Sequence, residues 1–364
     1  MLNNSQLQNF LSATEWFNFE LTNYCNIPCI YCDNKKLRNK GYMTFDHFKT
    51  IVDKLFNFEK SNKNIIFCGY GEPFLNDKIY DMIDYVYETG VDLTIQSNGK
   101  WKINEARIDS LFKINRLSVT IDAVSNDILE LSRPNTDVNA IFENLNKIVN
   151  LKNILSKQKP SITAKMNVFT FNKHQAHEFI GKCTELKLDQ ICLAKGCGPA
   201  EVMTTINRSE YDKYNCSNID IAKSLFEASS NLDTDKIQPN CNKHENSKAI
   251  RSNPAKLFQI LGCFNTATIK WDGTLLPCCW DIDAQLPLGN LATNNLEDIF
   301  TPENLDRVGS RILRDRNNPF TKIPCLRCSK FTSHFNPGIP VIAKRLLLQN
   351  VFKAHRNLLK YWQR

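Results

Sequence analysis

Three cysteines fall within eight residues, Cys25, Cys29 and Cys32, spaced C-x3-C-x2-C. They directly follow FNFEL (residues 17–21), a short stretch that reads as a strand. Three thiols this close belong either to a disulfide framework or to a metal site. The chain holds 14 cysteines in 364 residues, and its start, MLNNSQLQNF, has no basic segment followed by an apolar one. No secretory signal is therefore expected, and a cytoplasmic, reducing location argues against disulfides. Zinc would require a fourth ligand in paired knuckles, and no nearby Cys or His supplies it. Thiolates are soft ligands well suited to iron, and three of them around one face of a 4Fe–4S cubane leave the fourth iron open for chemistry.

The pattern downstream is that of an α/β protein. Apolar residues at helical spacing run from Phe45 to Phe56, with a strand at Asn64–Cys68 and a helix from Ile79 to near Gly90. Further strands are expected at 92–96, 116–121, 162–168 and 190–193, with helices at 138–155 and 175–186 between them. Six strands alternating with helices imply a parallel sheet with helices outside, short of a closed eight-unit barrel. From about residue 195 to 261 Asn, Ser, Asp and Lys crowd the chain, which reads as a linker with one or two helices.

With these elements in place, the cysteine loop resembles that of the radical S-adenosylmethionine (SAM) superfamily. Tyr31 holds the aromatic position before the third cysteine, and Gly69-Tyr70-Gly71-Glu72-Pro73 is similar to the family's GGEP loop after the second strand. The resemblance covers about Trp16 to Leu193 and implies a partial (β/α)6 barrel. It implies that Cys25, Cys29 and Cys32 hold a SAM-binding 4Fe–4S cluster. It further implies that Tyr31, Gly71, Glu72, Asn98, Ser118, Asp122 and Asn167 line the SAM pocket. The chemistry implied is reductive cleavage of SAM to a 5′-deoxyadenosyl radical, which abstracts hydrogen from the substrate.

A second group of cysteines lies toward the C-terminus. Cys263, nine residues, Gly273, four residues and Cys278 are followed much later by Cys325 and Cys328. CFNTATIKWDGTLLPC reads as a hairpin turning at Asp272-Gly273, which brings Cys263 near Cys278. Four thiolates saturate a cluster, so this site is expected to be electron-transferring or structural; spacing alone leaves a four-cysteine zinc site open. The segment, with a Gly289-Asn290 turn after it, resembles the SPASM (twitch-type) extension of radical SAM enzymes. That extension carries further cysteines beyond C-x2-C, and none follows Cys328. One auxiliary 4Fe–4S cluster is expected, making two in all. Cys279, adjacent to Cys278, would point to the opposite face of a strand.

The expected division is a radical SAM partial barrel at 1–195, a linker at 196–261, a SPASM-like domain at 262–335 and a basic C-terminal helix at 336–364. After Asp315 there is no acid, while residues 316–364 hold ten Lys and Arg. An amphipathic helix from Val341 to Trp362 could either pack on the barrel or make a peripheral contact with an anionic membrane.

The expected activity is that of a radical SAM oxidoreductase acting on a small sugar- or cyclitol-like molecule or on a peptide. A flavodoxin- or ferredoxin-type protein would be its electron donor. A peptide epimerase would need a hydrogen-atom donor, and Cys197, in Gly-Cys-Gly after the last barrel strand, is the candidate. Only about sixteen residues precede the first strand, so an N-terminal peptide-binding domain is expected to be absent or supplied by another protein, and a small-molecule enzyme would need none. The alternative class is a non-catalytic iron–sulfur or zinc protein. No RRM, KH or aromatic-basic interleaving points to nucleic acid.

Overall fold

A computed structural model describes residues 5–57, 62–169, 171–195, 237–239, 266–277, 281 and 283–315. Ten strands form one sheet: β1 (Trp16–Phe19), β2 (Asn64–Phe67), β3 (Asp92–Ser97), β4 (Arg116–Thr120), β5 (Ser161–Val168), β6 (Gln190–Lys195), β7 (Ile237–Pro239), β8 (Thr266–Ile269), β9 (Thr274–Leu276) and β10 (Gly289–Asn290). Their order is β10-β9-β8-β1-β2-β3-β4-β5-β6-β7, parallel from β8 through β7. The helices are α1 (Ser5–Ala13), α2 (Phe45–Phe56), α3 (Ile79–Thr89), α4 (Ile108–Leu111), α5 (Asn126–Glu130), α6 (Val138–Ile154), α7 (Ala176–Glu185), α8 (Leu296–Ile299) and α9 (Pro302–Asp315). Strands β1 to β6 with their helices make the expected partial barrel.

Alternation along the strands explains why one face is apolar. Phe17 and Phe19 of β1 pack edge-on against Phe56 and Phe48 of α2, with ring centroids 5.1 and 5.2 Å apart. Phe67 of β2 meets Phe48 at 5.6 Å. Leu93, Ile95, Leu117, Val119, Ile162 and Ala164 continue this buried layer. Phe48 is fully buried, and each such aromatic contributes a few kcal/mol through the area it removes from water. The intervening residues are polar on most strands: Asn18, Thr94, Ser118, Thr163 and Lys165. The inner wall of the barrel is thus a hydrophilic surface.

Two features depart from the sequence reading. Gly289-Asn290 is not a turn but a strand, pairing antiparallel with Leu275 and Thr274. Within the stretch read as linker, Ile237–Pro239 pairs with Ile191–Leu193 as a strand. The hairpin itself forms as read, with Gly273 N–H donating to the Lys270 carbonyl at 2.8 Å. Its first strand, β8, lies beside β1 in parallel register, Phe19 opposite Ile269. Trp271 lies flat on Gly41, where an added Cβ would come within 2.3 Å of its ring. The hairpin therefore rests on the loop that follows the three cysteines.

Candidate active site

The C-terminal ends of β1 to β5 carry the residues that the sequence singled out. Cys25, Cys29 and Cys32 are half-buried in one loop after β1, and all are free of disulfides. The Cys32 N–H donates to the Cys29 carbonyl at 3.2 Å, which curls the loop tightly. Among the described residues no three His, Cys, Asp or Glu side chains converge on a single-ion site. Burial pushes the Cys29 thiol up, and pushes that of Cys32 to about 12.

Glu72 is the other anchor. Its carboxylate is 1% exposed and accepts from the Ser97 hydroxyl at 3.0 Å, the Asn98 N–H at 2.7 Å and the Phe74 N–H at 3.2 Å. Burial pushes its pKa up to about 7, against the opposing pull of those amides, the hydroxyl and the Arg133 charge. The loop that carries it sits directly on the cysteine loop: the Glu72 N–H donates to the Tyr24 carbonyl at 2.9 Å. Gly71 makes this approach feasible, since a Cβ there would lie 2.1 Å from the Thr22 carbonyl oxygen. Backbone cannot yield as a side chain can. Gly71→Ala is expected to cost about 1–3 kcal/mol in denaturant unfolding, as overpacking does, and to separate Glu72 from the cysteines.

Asn98 ties the two loops together. Its amide nitrogen donates to Asn26 Oδ1 at 2.8 Å and to Cys25 Sγ at 3.6 Å. Asp122 forms a second knot. It is fully buried with φ +65°, a left-handed backbone that Asp tolerates better than most residues. Its carboxylate accepts from the Tyr31 hydroxyl and, at 2.7 and 3.0 Å, from the Asn167 N–H and amide nitrogen. Tyr31 stacks on Phe169 at 5.5 Å, and Phe169 on Phe171 at 5.2 Å. Ser118 sits on the inner wall between buried Leu117 and Val119. The structure thus brings Tyr31, Asp122 and Asn167 together at one end, and Gly71, Glu72 and Asn98 beside Cys25 at the other. Cys197, Cys263, Cys278, Cys279, Cys325 and Cys328 lie outside the described residues.

Sequence reasoning missed Arg133. It is 1% exposed and donates to the Thr120 carbonyl and, at 3.1 Å, to the Asn98 carbonyl. Burial alone would lower its pKa, but the neighbouring Tyr31, Asp122 and Cys29 outweigh this and hold it charged. Its Nε is buried without a partner. The only signal was a cation directly before a proline, in the LSRP turn that follows α5. Asn172 was also missed; its amide donates to the Asp122 and Asn167 carbonyls at 2.7 and 2.9 Å.

Residues 19–156 match the model of the Radical SAM superfamily, and residues 263–329 match SPASM, an iron–sulfur cluster-binding domain. Over 315 residues the chain is 24% identical to a tungsten-containing aldehyde ferredoxin oxidoreductase cofactor-modifying protein of Pyrococcus furiosus, covering 78% of this chain and 80% of that one. A 95-residue stretch is 28% identical to mycofactocin maturase MftC of Mycobacterium tuberculosis, covering 26% of this chain and 24% of the maturase. The fold is similar to that of Streptococcus suis SuiB in crystal structures with S-adenosylmethionine and with the precursor peptide SuiA, at a TM-score of 0.58 in each. Identity to SuiB is 14% and 15%, over 87% and 90% of this chain and 71% and 72% of SuiB. Both the cysteine loop and the Glu72 loop fall inside the first matched stretch, and the four C-terminal cysteines inside the second, so the chain belongs to the radical SAM superfamily as an enzyme with a SPASM domain.

Proposed function

We propose that this enzyme uses SAM, held on a cluster at Cys25, Cys29 and Cys32, to abstract hydrogen from a polar substrate seated against the inner wall of the barrel. The observation that carries the reading is the buried Glu72 carboxylate, fixed beside the cysteine loop and raised in pKa, as a site awaiting a cation should be. The residues fit the group. Glu72 would take the ammonium of SAM, Arg133 with its unpartnered Nε would take the carboxylate, and Tyr31 with Phe169 would flank the adenine. With SAM bound to the cluster, reduction supplies a 5′-deoxyadenosyl radical for hydrogen abstraction. The protein's own part is to orient SAM through these groups and to exclude water from the radical's path.

A hydrophilic substrate is supported by three oxygens on the wall between β1 and β8. Asn18 Oδ1, Glu20 Oε1 and Thr268 Oγ1 are buried without a hydrogen-bond partner. Asn18 and Thr268 face each other in register. Buried acceptors left unmet cost about 1–3 kcal/mol each, which a ligand rich in N–H or O–H donors would recover. Both a sugar-like molecule and a peptide have such donors. The peptide version draws support from the likeness to SuiB, solved with its precursor peptide. A flavodoxin- or ferredoxin-type protein would deliver the electron.

Two measurements test this reading. Anaerobically reconstituted protein given SAM and a low-potential reductant should release 5′-deoxyadenosine. It should also hold about eight irons, falling to about four when Cys263, Cys278, Cys325 and Cys328 are all changed to Ala. Four irons in the wild type, with zinc present, would identify the second site as zinc.

The raised pKa of Glu72 gives a pH signature with a definite sign. Below about 7 the ligand-free carboxyl holds a proton. Binding of an ammonium group favours the carboxylate and must expel that proton, so SAM affinity falls as pH drops through 7. Calorimetry in buffers of different ionisation enthalpy should record close to one proton released per SAM at about pH 6, and less release as the pH rises through 7. No release at the lower pH would remove Glu72 from the role of ammonium partner.

A further inference from the structure

The segment directly after Cys32, DNKKLRNKGY, carries a strong charge for its length. Between Asn23 and Phe45 it holds every charged residue: Lys35, Lys36, Arg38 and Lys40, against the single acid Asp33. Asp33 is fully buried, and its Oδ1 lies 2.8 Å from Lys36 Nζ, so it presents no negative charge to solvent. Lys35 and Arg38 are exposed, and among the described residues neither forms an ion pair. Beside them Tyr24 and Tyr42 are 39% and 47% exposed and stack at 4.9 Å, with Lys40 Nζ 5.9 Å from the Tyr24 ring. An exposed aromatic pair with Lys40 beside it, on the loop that carries three further cations, is the composition of a docking surface, where flat rings exclude water and charges steer approach.

The patch is also held rigidly in place. Asn34 donates to the Asn23 carbonyl at 2.7 Å and to the Tyr70 carbonyl. Asn23 is fully buried; its amide donates to the Asn39 carbonyl at 2.8 Å and its Oδ1 accepts from the Gly41 N–H at 2.9 Å. Lys40 donates to Asn34 Oδ1 at 2.8 Å. Lys35 stands three residues from Cys32, so their Cα atoms are at most about 10 Å apart. Tyr24 directly precedes Cys25. Electron transfer weakens steeply with distance, and this is surface lying within a few residues of two of the three cysteines.

We propose that Lys35, Lys36, Arg38 and Lys40, together with the Tyr24–Tyr42 pair that Lys40 adjoins, form the docking face for an acidic one-electron carrier protein. The inference rests on the cluster reading above. The carrier gives up one electron and the cluster gains it; no bond is made or broken at this surface. An acidic carrier is favoured over a nucleic acid because the four cations fall within six residues of one loop rather than along successive elements that could track a strand.

The test uses iron-reconstituted full-length protein and follows bleaching of cluster absorbance in stopped flow. The two reductants are a reduced acidic flavodoxin and reduced methyl viologen, a small cation. The variant Lys35→Glu/Arg38→Glu should lower the second-order rate constant with flavodoxin about tenfold or more at low salt. The gap should close near 1 M salt, where the Debye length is about 3 Å. Reduction by methyl viologen should not slow. The charge-matched control Lys157→Glu/Lys159→Glu changes exposed lysines before β5, at the opposite end of the strands, and should behave as wild type. Equal flavodoxin rate constants for variant and wild type would overturn the docking face while leaving the cluster intact. So would equal slowing in the control, which would make the effect one of net charge, or tighter binding of a single-stranded RNA than of flavodoxin. A wild type that neither holds iron nor bleaches would sink the cluster reading, and this inference with it.

Discussion

Changing Cys25, Cys29 and Cys32 together to Ala is expected to abolish 5′-deoxyadenosine formation and to lower bound iron from about eight to about four per chain. The loop has no other sulfur ligand, and the Asn98 amide that reaches Cys25 Sγ cannot replace a thiolate. The variant should stay folded. The three thiols are only half-buried, whereas the apolar layer between the sheet and α2 lies elsewhere. Iron assay, product chromatography and a thermal melt on one preparation separate these effects. SAM cleavage that survived in the triple variant would remove the cysteine loop from the chemistry altogether.

Arg133→Met should give the second large effect, on stability and ligand affinity together. The guanidinium is the buried cation beside Asp122, and it satisfies the carbonyls of Thr120 and Asn98. Without it those carbonyls lose a donor and the Asp122 charge loses its counterpart. Breaking a buried charged network in this way costs about 3–5 kcal/mol. Because Asn98 also fixes Glu72, the damage extends to the ammonium site. SAM should bind about 10- to 100-fold more weakly, the equivalent of one lost charge-assisted hydrogen bond. Arg133→Lys keeps the charge without the fork, so it should recover more stability than affinity. Wild-type affinity in the Met variant would show that the SAM carboxylate is held by another group.

Local chemistry was what the sequence revealed best. The cysteine spacing and the Gly71-Glu72 pair can be read because each packs its information into a few adjacent residues. The helices from α2 to α7 that showed clean periodicity appear within a residue or two of where they were expected. What escaped depends on contacts between distant segments. Nothing near LSRP indicates that Arg133 reaches Asn98, because the contact exists only once the loops after β3 and β4 converge. Helix α1 was missed because SQLQNFLSA offers only Leu7, Phe10 and Leu11 as its buried stripe. Phe10 then stacks on Phe300 at 4.2 Å, a partner nearly the whole chain away. The pairing of β8 with β1 was likewise invisible. The Asp272-Gly273 turn fixes the hairpin, but it carries no address for the strand that the hairpin joins.

That pairing has a consequence for how the molecule is made. Strand β1 is separated from its neighbour β8 by about 250 residues, which at about 5–20 residues per second take roughly 12–50 s to synthesise. Throughout that interval one edge of β1 offers unpaired N–H and C=O groups next to the apolar side chains of Phe17 and Phe19. An open edge of this kind invites pairing with another chain. The arrival of the hairpin closes it, so the segment that matches the iron–sulfur cluster-binding domain also covers the open edge of the catalytic sheet.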